Sequence, residues 1–98
     1  MTVGFILQFE GIDESHYQAV NEKLGLDPHT GAGDWPPGLL GHTAGHAANG
    51  GLVVAELWES ADAQGRFMES RLGPALAEVG VPDPTSVTVF EVLASHTP

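Results

Sequence analysis

The sequence predicts an α+β domain in which two helices cover one face of a four-stranded antiparallel sheet. Three observations predict it. Val3, Phe5, Leu7 and Phe9 recur at the two-residue period of a strand. The stretch LVVAELW at 52–58 is β-rich and passes through Glu59-Ser60 straight into ADAQGRF, a strand turning into a helix. Between 38–46 and 52–59, Asn49-Gly50-Gly51 is a hairpin signal. With a helix after the first strand and a strand near the end, the order is βαββαβ, the ferredoxin-like arrangement.

The first strand spans residues 2–10 and is broken by Gly11. Asp13 is placed to cap the first helix, with Glu14 in its positive first turn. Tyr17, Val20 and Leu24 then recur at spacings of three and four, the stripe of an amphipathic helix ending near Gly25. Residues 27–37, DPHTGAGDWPP, carry two Gly and three Pro, which exclude regular structure. This loop exceeds the usual connection length, and its Trp35 either pins it to the domain or lids a ligand. Residues 38–46 and 52–59 form the second and third strands. Ser60 caps the second helix, whose inner side carries Phe67, Met68, Arg71, Leu72, Leu76 and Val79. Gly73-Pro74 predicts a kink or a restart with Pro74 near the first helical position, and Gly80 predicts the end. Residues 81–84 connect to the last strand at 86–94.

With 98 residues and no visible boundary, the whole of 1–98 reads as one domain. A chain of this length buries roughly 60–65% of its unfolded surface, so docking on a second copy adds stability. Both faces of the first strand are partly apolar, and helices cover only one face of the sheet. An uncovered apolar face predicts a two-fold homodimer packed sheet to sheet. Thirteen acids against three bases give a formal net charge of -10, which argues against nucleic acid and anionic membrane as partners. The chain has no cysteine, which removes disulfides, thiol nucleophiles and cysteine-ligated metals and suits a reducing cytoplasm. No basic residue precedes the first apolar run, unlike a signal peptide, and no run approaches the ~20 apolar residues of a membrane span.

The element order, the Asn49-Gly50 hairpin and above all ELWES followed by ADAQGRF resemble the dimeric α/β-barrel superfamily, in its antibiotic-biosynthesis-monooxygenase-like branch. The resemblance spans nearly the whole chain. It implies a ligand pocket between sheet and helices. Its members include cofactor-free quinone-forming oxygenases, cyclases, haem-degrading oxygenases and proteins without known activity, so fold alone does not choose a chemistry. Haem-degrading members carry an Asn on the first strand, a Trp ending the third and a His in the second helix. Here Trp58 matches, Gln8 is the nearest approach to the Asn, and the helix offers Phe67, Met68 and Glu69 instead of the His. No cofactor is therefore expected.

Five histidines remain as candidates for chemistry: His16, His29, His42, His46 and His96. His42 and His46 share a strand face but lie about 13 Å apart, too far for one metal ion, and no other metal spacing exists. The partner of His42 depends on the hairpin. A strict two-residue turn sets it against Leu57; a five-residue loop over 47–51 sets it against Glu56 and places Trp58 across from Leu40. The glycine-rich loop and the gain from pairing two polar groups favour the second register. Cross-strand Cβ atoms are then about 5 Å apart, close enough for a carboxylate to orient an imidazole as general base. Under the resemblance, Trp58, Tyr17, Phe67 and Leu40, with Trp35 above, wall a pocket for a small apolar or aromatic molecule. The expected function is a small cofactor-independent monooxygenase or cyclase using His42 and Glu56. The alternative is a non-catalytic homodimer that binds a small ligand or simply assembles.

Overall fold

In the computed structural model, which describes residues 1–96, strand β1 (Val3–Phe9) lies inside a four-stranded sheet, between Leu52–Trp58 on one side and Ser86–Glu91 on the other, with Leu39–His46 at the far edge. Val3, Phe5, Leu7 and Phe9 all point toward the helices and are buried. Helix α1 (Glu14–Leu24) follows. Its N-terminus is closed by a reciprocal box: Asp13 accepts from the Ser15 and His16 amides, and His16 Nδ1 accepts from the Asp13 amide at 3.1 Å. Gly25, at φ 73°, ends the helix in the left-handed region that a side chain resists.

The 27–37 loop departs from the expectation of no regular structure. Strands β2 (Leu26–Asp27) and β3 (Ala32–Gly33) pair as a two-stranded ribbon. The residues read as breakers are the ones that make its turn. Asp27 Oδ1 accepts from the His29 amide at 3.0 Å, Gly31 N donates to Asp27 O at 2.8 Å, and Gly31 sits at φ 79°.

Strands β4 (Leu39–His46) and β5 (Leu52–Trp58) pair with His46 opposite Leu52 and His42 opposite Glu56, which leaves 47–51 as a five-residue connection. One expectation fails here. A bulge between Leu39 and Gly41 puts Leu39, not Leu40, across from Trp58. The extra residue of a bulge is left out of the ladder, and Leu40 is accordingly 58% exposed.

Ser60 caps α2 (Ala61–Phe67) by accepting from the Ala63 amide. The helix widens into a π-turn over Met68–Leu72 and resumes as α3 (Gly73–Val79), ending at Gly80 with φ 85°. Pro74 explains the widening. It has no N–H for the carbonyl one turn back, and its ring crowds that carbonyl. The Gly73 amide reaches back five residues to Met68 O instead, so the chain turns without breaking. Strand β6 (Ser86–Glu91) is shorter than the expected 86–94: its register with β1 ends at Val3–Glu91, and one further bond, Val92 N to Thr2 O at 3.0 Å, closes the ladder. Every β6 residue is exposed. Among the described residues, no helix is long and apolar enough to cross a membrane.

Candidate functional site

The site is built on the helix-facing side of the sheet, where Glu56, at the middle of β5, is buried among apolar side chains. A carboxylate in such a place must be satisfied by donors. Both oxygens are. Oε1 accepts from Trp58 Nε1 at 3.1 Å, and Oε2 lies 2.9 Å from His42 Nδ1. His42 Nε2 in turn lies 2.7 Å from the Tyr17 hydroxyl. Two strands and one helix therefore hold a continuous chain, Trp58–Glu56–His42–Tyr17.

The direction of each bond follows from the donor inventory. Indole is a donor only, and an ionised carboxylate accepts only. With Glu56 ionised, Nδ1 of His42 carries the proton, and Nε2 of the neutral ring presents its lone pair. Tyr17 must then donate to it. The two rings are nearly parallel, at 5°, with centroids 6.1 Å apart, and the hydroxyl and Nε2 meet at 2.7 Å between them. Burial pushes the Tyr17 phenol above its usual value; a hydrogen bond from Asn21 offsets part of this, and the Glu56 charge adds a smaller push in the same direction as burial.

Trp35 covers the His42 ring, with centroids 5.7 Å apart and planes at 53°, and anchors its indole N–H on Gly31 O at 3.0 Å. The loop beneath it is clasped by Arg71 of the π-turn. One guanidinium nitrogen donates to Leu24 O at 2.9 Å and to Asp34 O at 2.7 Å.

These groups form the polar end of a cavity of about 70 Å³ whose other walls include Leu7, Phe9, Val20, Phe67 and Leu76. His42, Glu56, Tyr17, Phe67 and Trp35 thus come together around it. Two residues expected as pocket walls do not. Leu40 is displaced by the bulge to a shallow outer groove beside Trp35. Trp58 is wholly buried behind the cavity, packed on Phe67 at 5.7 Å, and its contribution is the hydrogen bond to Glu56. Leu39 takes the wall position instead. The sequence reading missed Asn21, whose signal was its place one helical turn after Tyr17, and the partner role of Tyr17 itself. Of the remaining histidines, His29, His46 and His96 are exposed, and His16 serves the helix cap while also lining the cavity. Among the described residues, no three His, Asp, Glu or Cys side chains are grouped to hold a metal ion.

No protein-family profile matches the sequence, and no curated protein matches it. Solved structures do. Rv0793 of Mycobacterium tuberculosis superposes with a TM-score of 0.69 at 23% identity, covering 99% of this chain and 100% of that one. A Chloroflexus aurantiacus J-10-fl protein, proposed to be an antibiotic biosynthesis monooxygenase, gives 0.68 at 12% identity over 99% and 98% of the two chains. SnoaB, a cofactor-independent oxygenase from Streptomyces nogalater, gives 0.64 at 16% identity over 96% and 95%. These likenesses establish the ferredoxin-like fold shared with antibiotic-biosynthesis-monooxygenase-like proteins.

Proposed function

We propose that the protein is a small cofactor-independent enzyme that takes a proton from a phenol or an activated carbon of an aromatic or polyketide-like molecule. The observation that carries this reading is the hydrogen-bonded chain Glu56–His42–Tyr17 at the one polar end of an apolar cavity. Glu56 fixes the imidazole with its basic nitrogen facing away from the carboxylate and stabilises the imidazolium formed on proton uptake. The walls are largely apolar, and Trp35 packs over the ring.

The carbanion left behind has two fates. Attack on an internal carbonyl closes a ring, as in a cyclase. Addition of O₂ gives a hydroperoxide, which takes back a proton and loses water to leave a carbonyl; one oxygen atom enters the product and the other leaves as water. SnoaB, described as a cofactor-independent oxygenase on the same fold, supports the second fate. The test is O₂ uptake with a panel of monocyclic and bicyclic hydroquinones. Removing a positioned general base lowers turnover by about 10²–10⁴-fold, so His42→Ala falls by that factor. Unchanged turnover removes His42 from the mechanism.

The functional unit in this reading is a homodimer in the cytoplasm. The sheet face away from the helices carries Ile6, Val53, Leu57 and Phe90, and no element of the described chain covers it. Phe90 is 44% exposed, and on the other face of edge strand β6 Val87 and Val89 are 52% and 53% exposed. A second copy packed on the face that carries Ile6, Val53, Leu57 and Phe90 removes that face from water. A solution mass equal to the 10.2 kDa monomer argues against the dimer.

A further inference from the structure

We propose that Tyr17, rather than His42, is the group that meets the ligand, and that the ligand is an uncharged monocyclic phenol or enol. The proposal rests on the proton-abstraction reading above and specifies its contact atom and substrate class.

Both ring nitrogens of His42 are already engaged, Nδ1 by Glu56 and Nε2 by Tyr17. A ligand in the cavity finds no free lone pair on the imidazole. Tyr17 oxygen is different. It donates its proton to Nε2 and, beside the hydrogen bond it accepts from Asn21, keeps a second lone pair on a hydroxyl that lines the cavity. A ligand O–H placed there donates to Tyr17. Transfer then runs in one direction with no net change at the tyrosine. The ligand O–H bond breaks, Tyr17 oxygen gains that proton and releases its own, and Nε2 receives it. The ligand becomes a phenolate or enolate, Tyr17 ends as a neutral phenol, and the imidazolium rests against the Glu56 carboxylate. The raised affinity of Tyr17 for its proton suits this role, because the phenol does not persist as an anion in the buried site.

Charge defines the class of ligand. Glu56 is the only Asp, Glu, Lys or Arg side chain lining the cavity, and it is negative and committed to two donors. Of the three bases, Lys23 lies on the outer surface near Glu78, and Arg66 and Arg71 line a separate groove beyond Phe67. A ligand carboxylate or phosphate would lie near Glu56 with no Lys or Arg beside it, which a buried site penalises heavily. Size defines the rest. A water takes roughly 10–15 Å³ of such space, so the enclosed part of the cavity, about 70 Å³, takes about one six-membered ring with its substituent.

The probe is 4-nitrophenol, whose phenol and phenolate absorb at different wavelengths, titrated at a pH where the free probe is mostly protonated. Wild-type protein is expected to bind it and to convert it to bound phenolate. Tyr17→Phe is expected to bind it while the bound phenolate-to-phenol ratio falls about tenfold or more, equivalent to one unit of acidity. His42→Ala, and His42→Gln as a variant that retains a hydrogen-bonding side chain, lose the band as well. A phenolate band that survives Tyr17→Phe but not the His42 variants shows that the imidazole meets the ligand directly, and it overturns the role of Tyr17 while leaving the base in place. A band that survives all three overturns the base reading itself. Failure of wild type to bind 4-nitrophenol, or equal binding of 4-nitrobenzoate, overturns the assignment of an uncharged single-ring ligand.

Discussion

Exchanging Glu56 for Gln should reverse the hydrogen-bonded chain without dismantling it. Glutamine has one acceptor oxygen and one donor nitrogen where glutamate has two acceptors. Trp58 is fully buried and its indole can only donate, so the amide oxygen must turn to it. The amide nitrogen then faces His42 Nδ1, which must give up its proton to accept. The proton moves to Nε2, and the imidazole now donates to Tyr17 instead of accepting from it. The number of bonds is preserved, so the cost is that of one weakened hydrogen bond, about 1 kcal/mol. For a domain of this size that lowers Tm by about 4–8 °C. Glu56→Ala instead strands the Trp58 N–H beyond reach of solvent, while His42, whose side chain is 14% exposed, can recruit water. Stranding a buried donor together with the lost packing costs about 2–4 kcal/mol, a Tm loss of roughly 10–25 °C. Nitrogen-15 NMR of the histidine ring identifies which nitrogen is protonated. Wild type should show Nδ1–H and Glu56→Gln should show Nε2–H, with turnover down about 10²–10⁴-fold because the base is inverted. The same tautomer in both proteins refutes the assignment of donors, and an Ala variant as stable as the Gln variant refutes the energetic argument.

Three further outcomes follow from single contacts. Tyr17 has its phenol raised by burial and by the Glu56 charge, so its contribution to stability is complete below the unfolded value near 10 and fades as pH rises through the higher folded value; chemical denaturation above pH ~10 should show a steeper alkaline loss in wild type than in Tyr17→Phe. A Cβ on Gly4 would come within 2.2 Å of Phe90 Cζ, and because Phe90 is the exposed end of a flexible side chain, Gly4→Ala should lower stability by only about 1 kcal/mol while weakening the proposed dimer, as read by sedimentation. Gly33 combines φ 119° with a Cβ position 2.2 Å from Gly25 O, so Gly33→Ala should strain the ribbon by about 1–3 kcal/mol and quench less Trp35 fluorescence against His42.

The fold was legible wherever local chemistry and long-range packing agree. Alternation in β1, the Asp13 and Ser60 caps and the left-handed Gly25 and Gly80 each state their element within a few residues. The facing of His42 and Glu56 was legible as well, because a glycine-rich five-residue connection leaves few alternatives. What escaped was geometry that no local pattern encodes. The bulge at Leu40 inserts one residue into an otherwise regular strand, and that single insertion moved a wall position from Leu40 to Leu39. Trp58 has the right parity for the pocket face, but it lies behind the cavity because Phe67 packs over it. The 2.7 Å bond from Tyr17 joins residues 25 apart in sequence, and it exists only once α1 has docked on the sheet.

Of the cavity walls that belong to no long strand or helix, Trp35 is the one that packs over His42. Glu56 and His42 sit on paired strands and Tyr17 on a capped helix, so the polar end of the cavity is held by regular elements. Trp35 sits on the 27–37 loop, and that loop is held by Arg71. Its single nitrogen bridges Leu24 O and Asp34 O, and its guanidinium lies 5.4 Å from the Phe67 ring centre. The Asp34 carboxylate, 3.8 Å away and 89% exposed, adds little. Arg71→Lys preserves the charge but ends one bond short of the guanidinium nitrogen that bridges both carbonyls. Each lost charged hydrogen bond is worth about 1.5–3 kcal/mol, most of it borne locally by the loop, so the clasp loosens while the fold persists. Trp35 then leaves its place over His42 more often. A bicyclic phenol such as 1-naphthol, too large for the closed cavity, should gain affinity relative to 4-nitrophenol by about tenfold, the equivalent of about 1.4 kcal/mol. Calorimetric Kd values for the two probes give the ratio directly. If Arg71→Lys and Arg71→Ala both leave it unchanged, the cavity size is set by the sheet and helices, and the loop is not the gate.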